Sequence, residues 1–548
     1  MVAGIGAARS SLLQRMKHVG HETAQRGLVA WSRFVMLALS MLLAAGCSTT
    51  RIGLPSTPSF ALPDPQHTAL GRAFLDEAAL HPGQSGFRLI VSGREALATR
   101  AVLADLAERT LDLQYYSAGN DLTTDLLLLR IEAAARRGVR VRILLDDIYP
   151  PTRQFGLRAN ALHQGIEVRL YNPFWTSDDW DPVRVVELLA DAERLNRRMH
   201  NKLWIADNAA AILGSRNLGD AYFDALDAGN FSDVDLLAAG PIVGELSRAF
   251  DAYWNGASAV PIERLGGTLD AAAAERSWQS LQARADACGD SPSCAALVPP
   301  TRQDEADWLQ SKIGQLAWAD ADITFDLPEE EKTAVPSGIE HGWIEDRPGG
   351  ARTQSELLIV SPYLVFEEHG LDHLADMRRR GVRVAVLTNS LDSTDSLAAH
   401  AGYARQRETL LASGVELFEL RPQAGTSRHG MTHRWLQPQA GSLHAKVVVQ
   451  DRTRAIVGSL NQDPRSRIHN REIWLTVRSP GLAADLGALF DEASDAHHAY
   501  KLVLADGDEG QRVEWHTQER GQTIVLSDEP SGSPWLKLWR AVLGALVP

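Results

Sequence analysis

The spacing of apolar residues changes along this chain, and the changes mark its elements. Residues 111–117 and 357–364 are short apolar and aromatic runs, the pattern of buried strands. Residues 123–136 and 396–413 carry their apolar side chains at helical spacing and end in Arg-Gly and Ser-Gly, good stop signals. VRILL and VRVAVL are β-branched runs and read as strands. LWIAD with AAILGS, and KVVVQD with RAIVGS, read as two hairpins. Strands alternating with helices predict an α/β fold, a sheet covered by helices.

The pattern occurs twice. RRGVRVRILLDD (136–147) returns as RRGVRVAVLTNS (379–390), 243 residues on. MHNKLWIAD (199–207) returns as LHAKVVVQD (443–451), and GSRN (214–217) as GSLN (458–461), both 244 residues on. GIEVRLYNP (165–173) has its counterpart in GVELFELRP (414–422). A nearly constant offset of this length is the mark of a duplicated domain, and it is too long for a solenoid repeat. The copies are expected at 85–261 and 351–505. Residues 262–350 lack the repeat and read as a mostly helical insertion, and 506–548 as a tail.

Composition narrows the class. With 548 residues, 45% hydrophobic and 23% charged, the chain is a packed protein of more than one domain. A net charge of −14 argues against a chain-wide nucleic-acid footprint, which would be basic. At the N-terminus a stretch bearing Arg and Lys precedes FVMLALSMLLAAGC (34–47), an apolar run of the length of a signal h-region and too short to span a bilayer. It closes on LAAGC, which resembles a bacterial lipobox with Cys47 as the lipidated residue. Residues 1–47 are therefore expected to be a signal peptide and 48–84 a tether and lead-in. The protein is expected in a bacterial cell envelope, lipid-anchored or peripheral on a membrane and facing the periplasm, with Ser48 favouring the outer membrane. Export makes a disulfide between Cys288 and Cys294 in CGDSPSC plausible, and too few ligands lie nearby for a metal site. In the tail, Trp535, Leu536, Trp539, Val542 and Leu543 fall at helical spacing with Lys537 and Arg540 on other faces, which suits a helix lying in a membrane interface.

The chemistry lies in the repeated block. Residues two apart on a strand share a face, so His200 points with Lys202, and His444 with Lys446. Counting from each His, Asp207 and Asp451 follow at plus seven, Ser215 and Ser459 at plus fifteen, and Asn217 and Asn461 at plus seventeen. A lone His-x-Lys usually marks a solvated face; the same constellation twice in a duplicated chain marks a site. The types suit a phosphodiester. Lysine charge and Ser and Asn donors stabilise phosphoryl oxygens as charge builds up in the transition state. One histidine can attack phosphorus and the other can shuttle the proton. Each ring also needs its second nitrogen held by an acid. Glu472 in HNREIWLTV offers this in the second half. In the first half, FSDVDLLAAGP offers Asp233 and Asp235, which share a face and are not separated by spacing.

HNKLWIAD with GSRN, and HAKVVVQD with GSLN, resemble the paired HKD motifs of the phospholipase D superfamily, over nearly the whole chain from about residue 85. DLQYY, LNRRMHNK, NLGDAYF, FSDVDLLAAGP, LTNSL, HAGYAR and DPRS resemble its bacterial cardiolipin synthase C branch. The resemblance implies two duplicated α/β/α domains forming one bilobal unit with a single active site at their interface. It implies transfer of a phosphatidyl group to phosphatidylglycerol, giving cardiolipin, with phosphatidylethanolamine or phosphatidylglycerol as donor. His200 would be the nucleophile and His444 the acid/base, and the reverse assignment fits the same motif. Lys202, Lys446, Asn217 and Asn461 would hold phosphate with Ser215 and Ser459 supporting, and Asp233 and Glu472 would orient the rings. Asp207 and Asp451 complete the catalytic motifs and read as structural within them. No metal or other cofactor is implied. A phospholipase D releasing phosphatidic acid shares every one of these residues. A secreted nuclease of the superfamily fits less well, because of the acidic balance and the anchor.

Overall fold

The computed structural model describes residues 57–162, 164–174, 182–265, 271–289, 302–328, 352–422, 440–507, 510–531 and 533–546. The first half contributes β1 (Ser85–Ile90), β2 (Thr110–Tyr115), β3 (Arg140–Asp146), β4 (Ile166–Tyr171), β5 (Leu203–Ala206), β6 (Ala210–Gly214), β7 (Asn230–Ser232), β8 (Asp235–Ala239) and β9 (Ala259–Pro261). Next come β10 (Ala317–Phe325), β11 (Glu356–Val360), β12 (Arg383–Asn389), β13 (Glu416–Leu420), β14 (Ala440–Leu443), β15 (Val447–Gln450) and β16 (Arg454–Gly458). The series ends with β17 (Ile473–Arg478), β18 (Ala499–Gly507), β19 (Gly510–Glu519) and β20 (Gln522–Leu526).

Pairing shows the duplication as topology. In the first half the strand order is β1-β8-β6-β5-β2-β3-β4-β9. In the second it is β10-β17-β16-β15-β11-β12-β13-β18. In each half three successive strands run parallel, β2-β3-β4 and β11-β12-β13, as strands joined by crossover helices do. β1 then pairs antiparallel with β10, Gly86 opposite Trp318, and fuses the halves into one eighteen-stranded sheet.

β10 corrects the expectation for residues 262–350. Ala271–Gly289 and Arg302–Ile313 are helices, and they pack on helices Leu122–Arg136 and Gly93–Leu106 of the first half. Residues 317–325 are a strand, the second copy's equivalent of β1, so the repeat begins inside the expected insertion. AWADADITF alternates apolar and acidic residues and shares no motif with SGFRLI, so nothing in the repeat announces it. The tail differs too: β19 and β20 continue the second sheet through β18 before helix Pro534–Leu546 packs on helix Leu397–Ala404. The helix expected over 396–413 is two, Leu397–Ala404 and Arg407–Ala412, because Gln406 between them turns its amide onto the backbone of Phe366.

Both faces of the central strands are buried. Along β5, Leu203 and Ile205 face a core shared by the two halves and by helices Pro241–Trp254 and Pro480–Ala493, while Trp204 and Ala206 face the outer helices. Cys288 is buried and disulfide-bonded; Cys47 and Cys294 lie outside the described residues. Among the described residues no helix is long and apolar enough to cross a membrane.

Candidate active site

The two histidines stand just before β5 and β15, and each is docked on the other half. The His200 N–H donates to the Arg471 carbonyl at 2.8 Å, beside a parallel bridge between Met199 and Arg471. The His444 N–H donates to the Ser232 carbonyl at 2.9 Å, where β14 pairs in parallel with β7. Arg471 and Ser232 immediately precede Glu472 and Asp233. Backbone pairing between halves therefore carries each acid to the opposite histidine: His200 Nδ1 lies 2.9 Å from Glu472 Oε2, and His444 Nδ1 2.7 Å from Asp233 Oδ2. The sequence named Asp233 and Glu472 as the ring-orienting acids without saying which ring each serves; each serves the histidine of the other half. Asp235, which shared a face with Asp233 in the sequence reading, pairs instead with Arg100 at 3.0 Å and with Arg216.

With Nδ1–H donated to a carboxylate, a neutral ring carries its lone pair on Nε2 and a protonated one carries its second proton there. Burial, then Lys202, Lys446 and His444, hold the His200 imidazole well below its usual range. His444 is lowered less, because Asp233 offsets part of the effect of burial and Lys446. The Lys202 and Lys446 ammoniums are buried and donate to the carbonyls of His200 and His444. Burial pushes Lys446 down to about 8, and burial with Lys446 nearby lowers Lys202 strongly. A phosphodiester anion beside both ammoniums raises both.

The serines take a different role from the one expected. Ser215 Oγ donates to Asp233 and Ser459 Oγ to Glu472, so each hydroxyl proton holds a carboxylate rather than a phosphate oxygen. Histidine, acid and serine form a relay on each side. Asn217 and Asn461 are both buried. Asn217 accepts from Ser117 N–H at 3.2 Å and donates to Tyr222 OH at 3.1 Å, and Asn461 Oδ1 has no hydrogen-bond partner among the described residues.

Asp207 and Asp451 lie beyond the far ends of β5 and β15, a strand's length from the histidines, and touch no reacting position. Asp207 accepts the N–H groups of Glu108, Arg109 and Thr110; Asp451 accepts those of Gln354, Ser355 and Glu356. Both have φ of 51°, the left-handed region that Asp tolerates, and turn their hairpins while anchoring the start of the neighbouring central strand.

Residues to which the sequence reading gave no role also reach the site. Tyr116 meets the His200 ring edge-on at 4.8 Å, and Tyr222 and Phe231 pack against His444 at 5.2 Å. Tyr363 donates to Asp395 at 2.8 Å, and Asp326, closing β10, accepts the Glu472 N–H at 2.8 Å. Tyr116 and Tyr363 follow the ends of β2 and β11, where a parallel sheet presents its ligands, and that placement was the available signal.

A family model described as "Cardiolipin synthase, PLD-like domain" matches residues 103–254 and 351–493, one match per half. The chain belongs to the phospholipase D superfamily. Within it the chain is similar to cardiolipin synthase C of Escherichia coli (strain K12), 35% identical over 86% of this chain and 96% of that protein. An uncharacterized Helicobacter pylori protein is 28% identical over 93% of this chain and 99% of its own length. The crystal structure of a phosphatidylserine synthase from Haemophilus influenzae Rd KW20 aligns over 87% of this chain and 97% of that one, at 13% identity and a TM-score of 0.49. Within the phospholipase D superfamily, the two matched segments each hold one His-x-Lys pair and one ring-holding acid. The acids cross between the segments, so neither segment alone contains a complete histidine–acid pair.

Proposed function

We propose that this phospholipid phosphatidyltransferase of the phospholipase D superfamily makes cardiolipin, passing a phosphatidyl group to phosphatidylglycerol through a phosphohistidine. The observation that carries the mechanism is the exchanged pair of histidine–carboxylate contacts, which turns both Nε2 atoms into one buried cluster with two lysines. His200, the less basic ring, attacks phosphorus. The P–O bond to the headgroup breaks, and the departing alkoxide takes the Nε2 proton of His444, which enters this step as the imidazolium that Asp233 and the substrate's phosphodiester charge stabilise against burial and Lys446. His444 then removes a proton from the glycerol hydroxyl of phosphatidylglycerol. That oxygen attacks phosphorus and frees His200. Lys202 and Lys446 hold the non-bridging oxygens through both steps, with Asn217 and Asn461 beside them. The relatives support the lipid class, and the donor is phosphatidylethanolamine or phosphatidylglycerol. A lipid-anchored, periplasm-facing location through Cys47 belongs to the same proposal and rests on the lipobox.

The test uses mixed micelles of phosphatidylglycerol and headgroup-labelled phosphatidylethanolamine, with products resolved by mass spectrometry beside His200→Ala. Cardiolipin with free ethanolamine is expected. Phosphatidic acid alone would make the enzyme a hydrolase.

A further inference from the structure

We propose that two exposed apolar helix faces flanking the mouth of the active site dock this enzyme on a phospholipid bilayer, so that a headgroup enters the site while its acyl chains stay in the membrane. The inference rests on the reading of the substrate as a phospholipid. One face lies on helix Pro534–Leu546. Trp535, Leu538, Trp539 and Val542 recur at i, i+3, i+4 and i+7 and are 66%, 51%, 45% and 40% exposed. The helix is held to the protein by its contact with helix Leu397–Ala404. The other face lies on helix Pro182–Ala190, where Val185, Val186 and Leu189 are 58%, 42% and 77% exposed.

Each helix is fastened to a loop leaving the C-terminal end of β3 or β12, strands that are equivalent in the repeat. After β3, the buried Arg184 donates to the carbonyls of Asp147 and Ile148. The next residue, Tyr149, meets Tyr116 edge-on at 5.5 Å, and Tyr116 meets His200. After β12, Asp392 accepts from Ser531 at 2.5 Å, and Glu529 pairs with His400 at 2.8 Å. Asp395 of the same loop bonds Tyr363, and its charge reaches His444 and Lys446. The two histidines share one site, so the two faces are fastened, one from each half, to the loops that reach it.

The chemistry of the first face points to a bilayer. Two tryptophans meet edge to face at 6.4 Å, with Lys537 on the flank and Arg540 tied to Glu529 at 3.1 Å, and tryptophan beside a cation settles at the headgroup level. A diacyl lipid is confined to the membrane, so the site must be brought to it there.

The test compares the full chain with Trp535→Ser/Trp539→Ser and Val185→Ser/Leu189→Ser on two substrates. One is vesicles of phosphatidylglycerol and phosphatidylethanolamine; the other is the dihexanoyl forms of the same lipids, kept monomeric. Each pair is expected to lower turnover on vesicles by about tenfold or more while turnover of monomeric lipid stays within about twofold, the mark of lost interfacial binding. Brominated lipids should quench the unaltered protein more than Trp535→Phe/Trp539→Phe. Vesicle turnover that survives both pairs overturns the inference. So does equal loss on both substrates, equal quenching of the two proteins, or conversion of a dimer to a monomer by the substitutions, which would make the faces a contact between copies. Failure of the unaltered enzyme to turn over either lipid overturns the proposed function instead, while the quenching still reads docking.

Discussion

His200 and His444 owe their tautomers to acids that do not belong to their own halves, and this makes Asp233 and Glu472 the most informative positions to change. Asp233→Asn and Glu472→Gln keep shape but remove the charge that holds Nδ1–H, and turnover is expected to fall about 10³–10⁴-fold, as when an orienting carboxylate is neutralised elsewhere. Ser215→Ala separates the two roles considered for that hydroxyl. Because it donates to Asp233 and not to phosphate, the loss is expected in kcat, about tenfold, with KM nearly unchanged. Steady-state kinetics on micelles reads both. The pH profile follows from the lysines and histidines. Lys446, pushed down to about 8, and Lys202, lowered strongly, both act as cations, so kcat/KM should fall as pH rises, with the Lys446 charge lost above about 8. In the complex the bound phosphate raises both lysines, so the alkaline limb of kcat should lie higher. His200 is depressed, so the neutral nucleophile should persist below pH 6.5, the ordinary histidine value, while the His444 acid, lowered as well, is lost as pH rises and adds to the alkaline fall. The members of the site were legible because the duplication printed them twice. The use of the serines was not, since a hydroxyl two residues before an Asn carries no sign of whether it faces a phosphate or a carboxylate.

The hairpins β5-β6 and β15-β16 are fixed at their turns by Asp207 and Asp451, each gathering three successive backbone N–H groups. Asp207 is buried, and replacing it with Ala leaves those donors unsatisfied at a cost of about 3–5 kcal/mol. Asp451 sits among more exposed partners, and about 1–2 kcal/mol is expected there. Urea unfolding midpoints check the order. Folded Asp451→Ala protein should keep most of its turnover, which catalytic membership of the motif would forbid. Strands with long apolar runs, such as β3 and β12, were readable. β10 was not, because a strand that alternates Ala, Trp and Ile with Asp looks like a polar connection until its partners β1 and β17 are known.

At the scale of the molecule, the β1–β10 pair, the shared core and the exchanged acids make one enzyme of two copies. Either half expressed alone lacks an acid for its histidine, so no turnover is expected from residues 57–265 or 302–548 separately. Mixing His200→Ala with His444→Ala protein should also restore nothing, since each chain then has one incomplete site; activity in that mixture would show that halves exchange between chains. Lys202 and Lys446 already supply the positive charge at phosphorus, so turnover is expected to survive EDTA, with loss and recovery on adding a divalent ion as the contrary result.

The sequence by itself determined the α/β class, the duplication and the residue types of the site, because period, offset and motif are local properties that survive without coordinates. Only the tertiary structure decided which acid serves which histidine, what the serines hold and where the second copy begins. The acids and the start of the second copy depend on strand pairing between segments more than two hundred residues apart, and the serines on the nearer pairing of β6 with β8 and of β16 with β17, and no local pattern records a partner.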